Sequence, residues 1–243
     1  MAAHWRWAAG LVWLILGAAC ADPSLTPTPA PLPAREVMLR SAERMQFHPG
    51  FHFLIDRQGA LAYLDPGHTL AFGQAEGDYV APDKARALVR IIGPGLITDI
   101  GVISVGRIQW ETDVLTGRWQ ELPPDWGFNP TILFDPVVGL QPILQTDTFD
   151  LAPTTYAGLE SAPDDLFYYI TGGLKGERVY SLSGRLIDAD QMTFELWVSP
   201  ETFDLAQIRV TEPAQTGEDV GSIWLVTFSQ WGQTVTIEPP VGE

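Results

Sequence analysis

Residues 71–92, AFGQAEGDYVAPDKARALVRII, decide the fold of this chain. The turn signal Pro82-Asp83 divides them into two segments, and within each segment the side-chain character alternates with a period of two. This period is typical of β-strands, because successive side chains of a strand point to opposite faces of the sheet. Two such segments joined by a short turn predict an antiparallel β-hairpin.

One face of this hairpin carries mostly small side chains. Glycine and alanine recur at every second position of the first strand, and alanine, valine and isoleucine do so on the second. A packed core combines large and small groups at high density, so a small-residue face either lets a large neighbour approach or leaves room for a ligand. The residues of this face are Ala71, Gly73, Ala75 and Gly77, followed by Ala85, Ala87, Val89 and Ile91.

The strand period continues on both sides of the hairpin. Before it, residues 36–46 carry apolar side chains at helical spacing and end at the breaker Pro49-Gly50, which predicts one helix. The other segments are joined by short turns, which predicts an antiparallel sheet. Strands are predicted over residues 51–55 and 96–105, and in a second run over 166–171, 178–186, 193–198, 206–210, 222–228 and 234–238.

Residues 130–145, PTILFDPVVGLQPILQ, are apolar but lack the strand period. Pro136, Gly139 and Pro142 interrupt them, and proline cannot donate a hydrogen bond to a β-ladder. The segment therefore predicts two short helices or helical turns that cover one face of the sheet. Together these patterns predict an α+β fold, a curved antiparallel sheet with a few helices on one side.

The composition excludes several classes of partner. The 243 residues carry 30 acidic and 14 basic side chains, a net charge of −16. Such a chain repels nucleic acid, and its scattered arginines form no basic patch for an anionic lipid surface. Cys20 is the only cysteine, so neither an intramolecular disulfide nor a thiolate metal cluster is expected.

The N-terminal residues predict export and attachment to a membrane. Residues 4–20, HWRWAAGLVWLILGAAC, have the charge, apolar run and small residues of a secretory signal peptide. The apolar run is shorter than the ~20 residues that span a bilayer. The segment Leu16–Cys20 resembles the lipobox of bacterial lipoproteins, in which the cysteine is acylated and the chain is cleaved just before it. The alternative is a plain secretory signal with a chance cysteine.

We therefore expect three regions along the chain. Residues 1–19 are the signal peptide, and residues 20–35 contain the lipidated Cys20 and a spacer with prolines at positions 23, 27, 29, 31 and 33. Such a spacer favours the extended polyproline II conformation and cannot pack a core. Residues 36–243 form the folded domain, tethered through this spacer.

Segments throughout this domain resemble the LppX/LprAFG family of cell-envelope lipoproteins, best known from mycobacteria. The resemblance implies a half-barrel sheet wrapped against helices, similar to the periplasmic LolA and LolB carriers, and enclosing an apolar cavity for lipid acyl chains. The segments are EGDYVAPD at 76–83, TGRW at 116–119 leading to FDP at 134–136, LWVSPET at 196–202, and TFSQWG at 227–232 followed by VTIEPP at 235–240.

This resemblance gives the small-residue face a use as cavity wall and residues 130–145 a use as a lid. Burying an acyl chain requires apolar surface and no catalytic group, so no enzyme activity, metal or cofactor is expected. We expect the cavity to be lined by Phe53, Ala71, Gly73, Ala75, Ala85, Ala87, Val89, Ile91, Ile103, Leu133, Phe134, Ile143, Leu144 and Leu196.

The expected function is that of a monomeric lipoprotein anchored on the extracytoplasmic face of the membrane through acylated Cys20. It binds acyl chains of lipids or glycolipids and carries or presents them across the cell envelope. An envelope transporter is a candidate partner.

Enzyme motifs are poorly matched. Ser104, in GVISVG at 101–106, departs by one position from the nucleophile elbow G-x-S-x-G and has no helix after it. His48 and His52 have the spacing of zinc ligands on a helix, but Pro49-Gly50 between them ends the helix. We expect neither a hydrolase nor a metal site.

The alternative function is binding of a glycan or a protein through exposed aromatic side chains, without lipid transport. Indole rings combine an apolar face with a polar N–H and suit such surfaces. Trp197 and Trp224 alternate within predicted strands and are expected to pack in the sheet, whereas Trp126 is the best exposed candidate. The remaining candidates are Trp110, Trp119 and Trp231.

Overall fold

The computed structural model describes residues 30–123, 131–132, 135–214 and 220–240. Pro31–Glu243 form one compact unit, to which the following description applies. Within the described residues it contains three helices and thirteen strands. They are α1 (Ala34–Phe47), β1 (Gly50–Gly59), β2 (Ala62–Tyr63), β3 (Ala71–Val80), β4 (Lys84–Gly93), β5 (Leu96–Val105), β6 (Ile108–Thr112), β7 (Trp119–Glu121), α2 (Leu140–Thr146), β8 (Thr148–Phe149), β9 (Thr155–Leu159), β10 (Ala162–Lys175), α3 (Gly176–Leu182), β11 (Gln191–Val198), β12 (Leu205–Glu212) and β13 (Ser222–Ser229).

All these strands belong to one antiparallel sheet, in the order β7-β6-β5-β4-β3-β1-β13-β12-β11-β10-β8, with β2 beside β3 and β9 beside β10. The predicted hairpin is β3–β4, in which Gly77 pairs with Ala87 and Tyr79 with Ala85. The predicted α+β fold, an open curved antiparallel sheet with a few helices, is confirmed.

The register gives the sheet two ends, which we name after β1. At the Gly50 end, Gly50 of β1 pairs with Val80 of β3, and α1 has just finished. At the Gly59 end, Gly59 pairs with Ser222 of β13. The connections β1–β3 and β4–β5 turn at the Gly59 end, and the β6–β7 connection points toward that end from the middle of β5, since β6 ends at Thr112 beside Gly101.

The core is shared between one face of the sheet and the helices. On α1 the buried residues Val37, Met38, Ser41, Ala42 and Met45 recur every three or four positions, which is the spacing of one helix face. Val37, Met38 and Met45 belong to the same apolar cluster as Phe51 and Phe53 of β1. The sheet therefore buries the face toward which α1 packs.

Two predicted strands are wrong. Residues 178–186 were expected as a strand, but Gly176–Leu182 form α3, which buries Val179 and Leu182 at helical spacing. Residues 234–238 form no strand, because β1 and β13 already have a partner on each side and offer no free edge. Of the expected lid, α2 covers the second half, while residues 130 and 133–134 lie outside the described residues.

Candidate functional site: an apolar cavity

A cavity of about 400 Å³ lies between the sheet and the short helices α2 and α3. Volumes of this size are typical of ligand-binding pockets. The apolar wall is built by β1, β3, β4, β5, β10, β11, β12 and β13 on the sheet side, together with both helices. The side chains that form it include Ile55, Ile100, Val102, Leu174, Val179, Leu182, Phe194, Ile208, Val210, Trp224 and Val226.

Half of the residues that the sequence predicts to line the cavity do line it. The alternation of β4 places Ala87, Val89 and Ile91 on one face, and the cavity lies against that face. The expected residues that line the cavity are Phe53, Ala75, Ala87, Val89, Ile91, Ile143 and Leu144.

A β-bulge in β3 moves Ala71 and Gly73 out of the expected wall. Phe72 pairs with Ile91 and Gln74 with Arg90, so Gly73 is an extra residue without a partner on β4. The bulge breaks the alternation, so that Phe72 and Ala75 line the cavity on the same side. A Cβ on Gly73 would lie 3.2 Å from the carbonyl oxygen of Arg90, which leaves little room for a side chain there.

Three further expected residues lie outside the wall. Ala85 shares the face of Ala87 but is paired with Tyr79, at the end of the sheet that aromatic rings fill. Ile103 faces away from the cavity, because its neighbour Val102 lines it.

The last of the three is Leu196. It is fully buried and belongs to the packed core. Leu133 and Phe134, like Cys20, lie outside the described residues.

The sequence analysis missed the large side chains of the wall. Phe72, Phe194 and Trp224 were read as packing residues or not considered, yet each borders the cavity. Trp224 is 5% exposed and its ring centroid lies 5.4 Å from that of Phe72. The helix-type spacing of Val179 and Leu182 was the available signal for the wall residues of α3.

At the Gly50 end, aromatic side chains fill the space beyond the residues that line the cavity. The ring centroid of Phe51 lies 4.5 Å from that of Trp231 and 5.0 Å from that of Tyr79. The Tyr79 hydroxyl donates a hydrogen bond of 2.7 Å to the carbonyl oxygen of Pro82. Burial, assisted by the negative charge of Asp83, raises the pKa of Tyr79 to about 12. We call Phe51, Tyr79, Phe228 and Trp231 the aromatic plug.

The Gly59 end of the cavity is bordered by loop residues. Leu64, Asp65 and Leu70 of the β1–β3 connection and Val114 of the β6–β7 connection line it there. The Asp65 carboxylate accepts hydrogen bonds from the backbone N–H of Leu70 at 2.6 Å and of Thr69 at 3.0 Å. These bonds, led by that from Leu70, hold the pKa of Asp65 below its ordinary value. The mouth therefore keeps a negative charge beside an apolar interior.

The two histidines considered as metal ligands are held apart. His48 Nε2 lies 2.6 Å from Asp204 Oδ1, whereas His52 Nδ1 lies 3.0 Å from Asp78 Oδ1. Among the described residues, no group of three His, Cys, Asp or Glu side chains is placed to hold a metal ion.

Asp78 is the centre of a polar network that includes His52. Burial acts to raise its pKa, but hydrogen bonds from His52, Arg86 and Gln233 outweigh burial and lower it. Ser104 is fully buried in β5, opposite Ala85 and Gln109.

The tryptophans of the alternative function are mostly covered. Trp197 and Trp224 are 6% and 5% exposed, whereas Trp119 on the edge strand β7 is 38% exposed. Trp126 lies outside the described residues. None of the helices in the described part of the chain is long and apolar enough to cross a membrane.

Comparisons with known proteins agree with this architecture. The sequence profile of the LppX_LprAFG lipoprotein family matches residues 33–237. The crystal structure of LprF from Mycobacterium bovis superposes with a TM-score of 0.62 and 16% sequence identity, covering 88% of this chain and 100% of LprF. The lipoprotein LppX from Mycobacterium tuberculosis gives a TM-score of 0.58 and 14% identity, covering 84% of this chain and 98% of LppX. Curated proteins give no match.

Proposed function

Because the chain belongs to the LppX/LprAFG family of lipoproteins, we propose that it is a membrane-anchored carrier of lipids. In this proposal the cavity binds the acyl chains of a lipid or glycolipid, and the protein carries or presents that lipid across the cell envelope. The family and the fold are those of lipid-binding lipoproteins.

The observation that carries the proposal is the cavity of about 400 Å³ with its apolar wall. Moving an acyl chain through water costs about 0.8 kcal/mol for each exposed methylene, so a carrier must cover nearly the whole chain. Aliphatic and aromatic side chains such as Val89, Leu182 and Phe194 offer that cover. They also provide no group that would react with an ester.

The uneven polarity of the cavity supports a defined direction of binding. The aromatic plug lies at the Gly50 end, while Asp65 in the β1–β3 connection borders the cavity at the Gly59 end. An acyl chain would point its methyl end toward the plug, and the headgroup would remain at the mouth in contact with water.

The anchor is the acylated Cys20. Two or three acyl chains on one residue hold a protein firmly on a bilayer, since each buried methylene contributes about 0.8 kcal/mol. The proline-rich residues 20–35 would then act as a spacer that lets a monomeric domain reach its lipid donor and an envelope transporter as acceptor. Metabolic labelling with an alkyne analogue of palmitate tests the anchor, and Cys20→Ala is expected to abolish the label.

Native mass spectrometry tests lipid binding directly. The protein lacking residues 1–20 is purified without detergent from a lipid-containing host, and bound molecules are then extracted and identified. We expect one lipid for each chain. A protein that is empty and also fails to take up added lipid would overturn the proposal.

A further inference from the structure

Large apolar side chains are exposed at the Gly59 end of the sheet. Leu115 in the β6–β7 connection is 90% exposed, Ile97 beside the β4–β5 turn is 69% exposed, and Leu61 in the β1–β3 connection is 48% exposed. Leu64 in the β1–β3 connection and Leu96 beside the β4–β5 turn are also exposed. Exposed apolar groups in one region indicate an interaction site.

These five side chains lie on connections that follow one another along the sheet. Strands β1, β3, β4, β5, β6 and β7 are neighbours in that order, so their connections at the Gly59 end are neighbours as well. Two of the connections also line the cavity, through Leu64 and Val114. Through these two connections Leu61, Leu64 and Leu115 are continuous with the cavity, whereas Ile97 lies near the end of β5 on the opposite face, the face of Ile103.

The turns at the Gly50 end carry exposed charged residues, namely Asp83 in the β3–β4 turn, Arg107 in the β5–β6 turn and Glu201 between β11 and β12. Ile108, beside Arg107, is 46% exposed at this end. Phe47 is 78% exposed at this end but lies at the end of α1, away from the cavity mouth.

The chain also enters the domain at the Gly59 end. Arg35, in the first turn of α1, donates hydrogen bonds to the carbonyl oxygen of Gln145 at 3.0 Å and to Thr148 Oγ1 at 3.2 Å. Thr148 pairs with Leu174, one residue before β10 ends. Cys20 is 14 residues before Ala34, and a fully extended spacer of that length reaches no further than roughly 50 Å.

We propose that Leu61, Leu64, Leu96, Ile97 and Leu115 form a rim that inserts into the surface of a lipid bilayer. With the rim inserted, the mouth opens onto the acyl region, and a chain passes between bilayer and cavity without crossing water. This inference rests on the proposed lipid-carrier function.

The charge around the rim determines which lipid headgroups the rim can approach. Asp65 and Asp113 lie beside the apolar tips, whereas Asp99 is paired with Arg90 at 2.9 Å, and the chain that follows the signal peptide carries 13 basic and 30 acidic side chains. Apolar insertion therefore drives the docking, and the expected surface is one of uncharged lipid headgroups.

A reporter of bilayer depth tests the rim. Leu115→Cys and Ile97→Cys are labelled with an environment-sensitive fluorophore in the full-length protein, reconstituted into phosphatidylcholine vesicles that contain nitroxide-labelled lipids. Phe47→Cys is the matched control at the opposite end, and the wild-type protein gives the background of Cys20. We expect quenching at positions 115 and 97 and none at position 47.

Equal quenching at positions 47 and 115, or none at 115 and 97, would overturn the proposal. A spectral shift at 115 that is the same without vesicles and depends on protein concentration would assign the rim to a second copy of the chain, which also overturns it.

A lipid-transfer assay tests the rim proposal separately from the lipid-carrier proposal. Leu115 and Ile97 are not among the residues that line the cavity, so bound lipid measured by native mass spectrometry is expected to stay at the wild-type level in Leu115→Asp and Ile97→Asp. Uptake of a fluorescent lipid from phosphatidylcholine vesicles is expected to slow about tenfold for each, since burying one large aliphatic side chain is worth at least that factor. Phe47→Asp is expected to leave uptake unchanged.

Unchanged uptake by both rim variants would overturn the rim while leaving the carrier intact. Absence of bound lipid in the wild-type protein would instead overturn the proposed function.

Discussion

Ala87 shows how a single small residue keeps the cavity open. It is nearly buried on β4, its side chain borders the cavity, and its cross-strand partner is Gly77. A Cβ on Gly77 would lie 2.0 Å from the carbonyl oxygen of Arg86, so the two strands leave no space between them at this point. Additional volume at position 87 can therefore extend only into the cavity.

Ala87→Trp is expected to reduce lipid occupancy while leaving the free energy of unfolding within about 1 kcal/mol of the wild-type value, because the indole occupies a void. If position 87 faced a packed core instead, overpacking would cost about 1–3 kcal/mol with or without lipid. Native mass spectrometry and urea unfolding measure the two quantities. Leu88→Trp, on the exposed face of the same strand, is the control that retains lipid.

Asp204 links α1 to the β11–β12 connection. Its carboxylate accepts hydrogen bonds from Arg44 Nε at 3.0 Å and contacts His48 Nε2 at 2.6 Å. Burial acts to raise the pKa of Asp204, but the hydrogen bonds from Thr202, His48 and Arg44 outweigh it and lower the pKa below the ordinary value of 3.8. The carboxylate thus contributes stability above that pH and loses it as the pH falls through the lowered pKa.

Asp204→Asn is accordingly expected to lower the free energy of unfolding by about 1–3 kcal/mol at pH 7, the cost of hydrogen bonds to a charged group. The difference from wild type is expected to shrink as the pH falls through the lowered pKa, because the wild-type carboxyl then becomes protonated as well. Chemical denaturation from pH 7 into the acid range measures both, with the exposed Asp164→Asn as control. A difference that did not depend on pH would contradict this assignment.

At the scale of elements, α2 and α3 have only seven residues each and depend on what they pack against. Isolated helices of this length are unstable in water, so their packing on the cavity decides how often they open. An acyl chain in the cavity adds contacts to Ile143, Leu144, Val179 and Leu182.

We expect bound lipid to slow amide hydrogen exchange in both helices about tenfold, the effect of burying roughly one further aliphatic side chain. Exchange in β1, which is paired with a strand on each side, is expected to change little. Hydrogen exchange with and without lipid, followed by mass spectrometry, measures the difference. Equal slowing of β1 and the helices would indicate global stabilisation and would contradict a local lid.

The sequence was sufficient for the elements whose period is regular. The α1 helix and the β3–β4 hairpin follow from apolar spacing alone, and the face of Ala87, Val89 and Ile91 follows from the alternation of β4. The bulge at Gly73 could not be predicted, because a glycine in a strand is compatible with regular pairing too. Ile103 was placed in the wall for a different reason. Alternation shows that Ile103 and Val102 face opposite sides of the sheet, but it does not reveal which side is buried.

The elements that were misassigned depend on the rest of the sheet. Residues 178–186 alternate well enough for a strand. In the folded chain, Gly176–Leu182 form a helix, and the helical spacing of Val179 and Leu182 lets both side chains pack on the cavity. Residues 234–238 have the composition of a strand, but the neighbouring strands were already paired. The pattern of residues within one segment shows neither what the segment packs against nor which strand edges are free.

At the scale of the whole molecule, the net charge and the exposed apolar side chains act in opposite ways on an approach to a membrane. The net charge of −16 repels anionic surfaces, while the exposed leucines and Ile97 at the Gly59 end favour apolar ones. The two properties together determine which membranes the domain can approach closely.

Lipid uptake is therefore expected to be faster from vesicles of phosphatidylcholine than from vesicles that contain phosphatidylglycerol at low ionic strength. Added salt shortens the Debye length to about 3 Å at 1 M and is expected to remove most of the difference. Stopped-flow fluorescence with both vesicle types measures it. Faster uptake from the anionic vesicles at low salt would show that an unrecognised basic surface governs the encounter.

In the proposed carrier, the aromatic plug would fix the order of events in loading and release. An acyl chain would enter methyl end first and leave headgroup first, so loading and unloading would retrace the same path in opposite directions. The plug would also limit the length of chain that the cavity covers, because each methylene beyond that length would remain in water at a cost of about 0.8 kcal/mol.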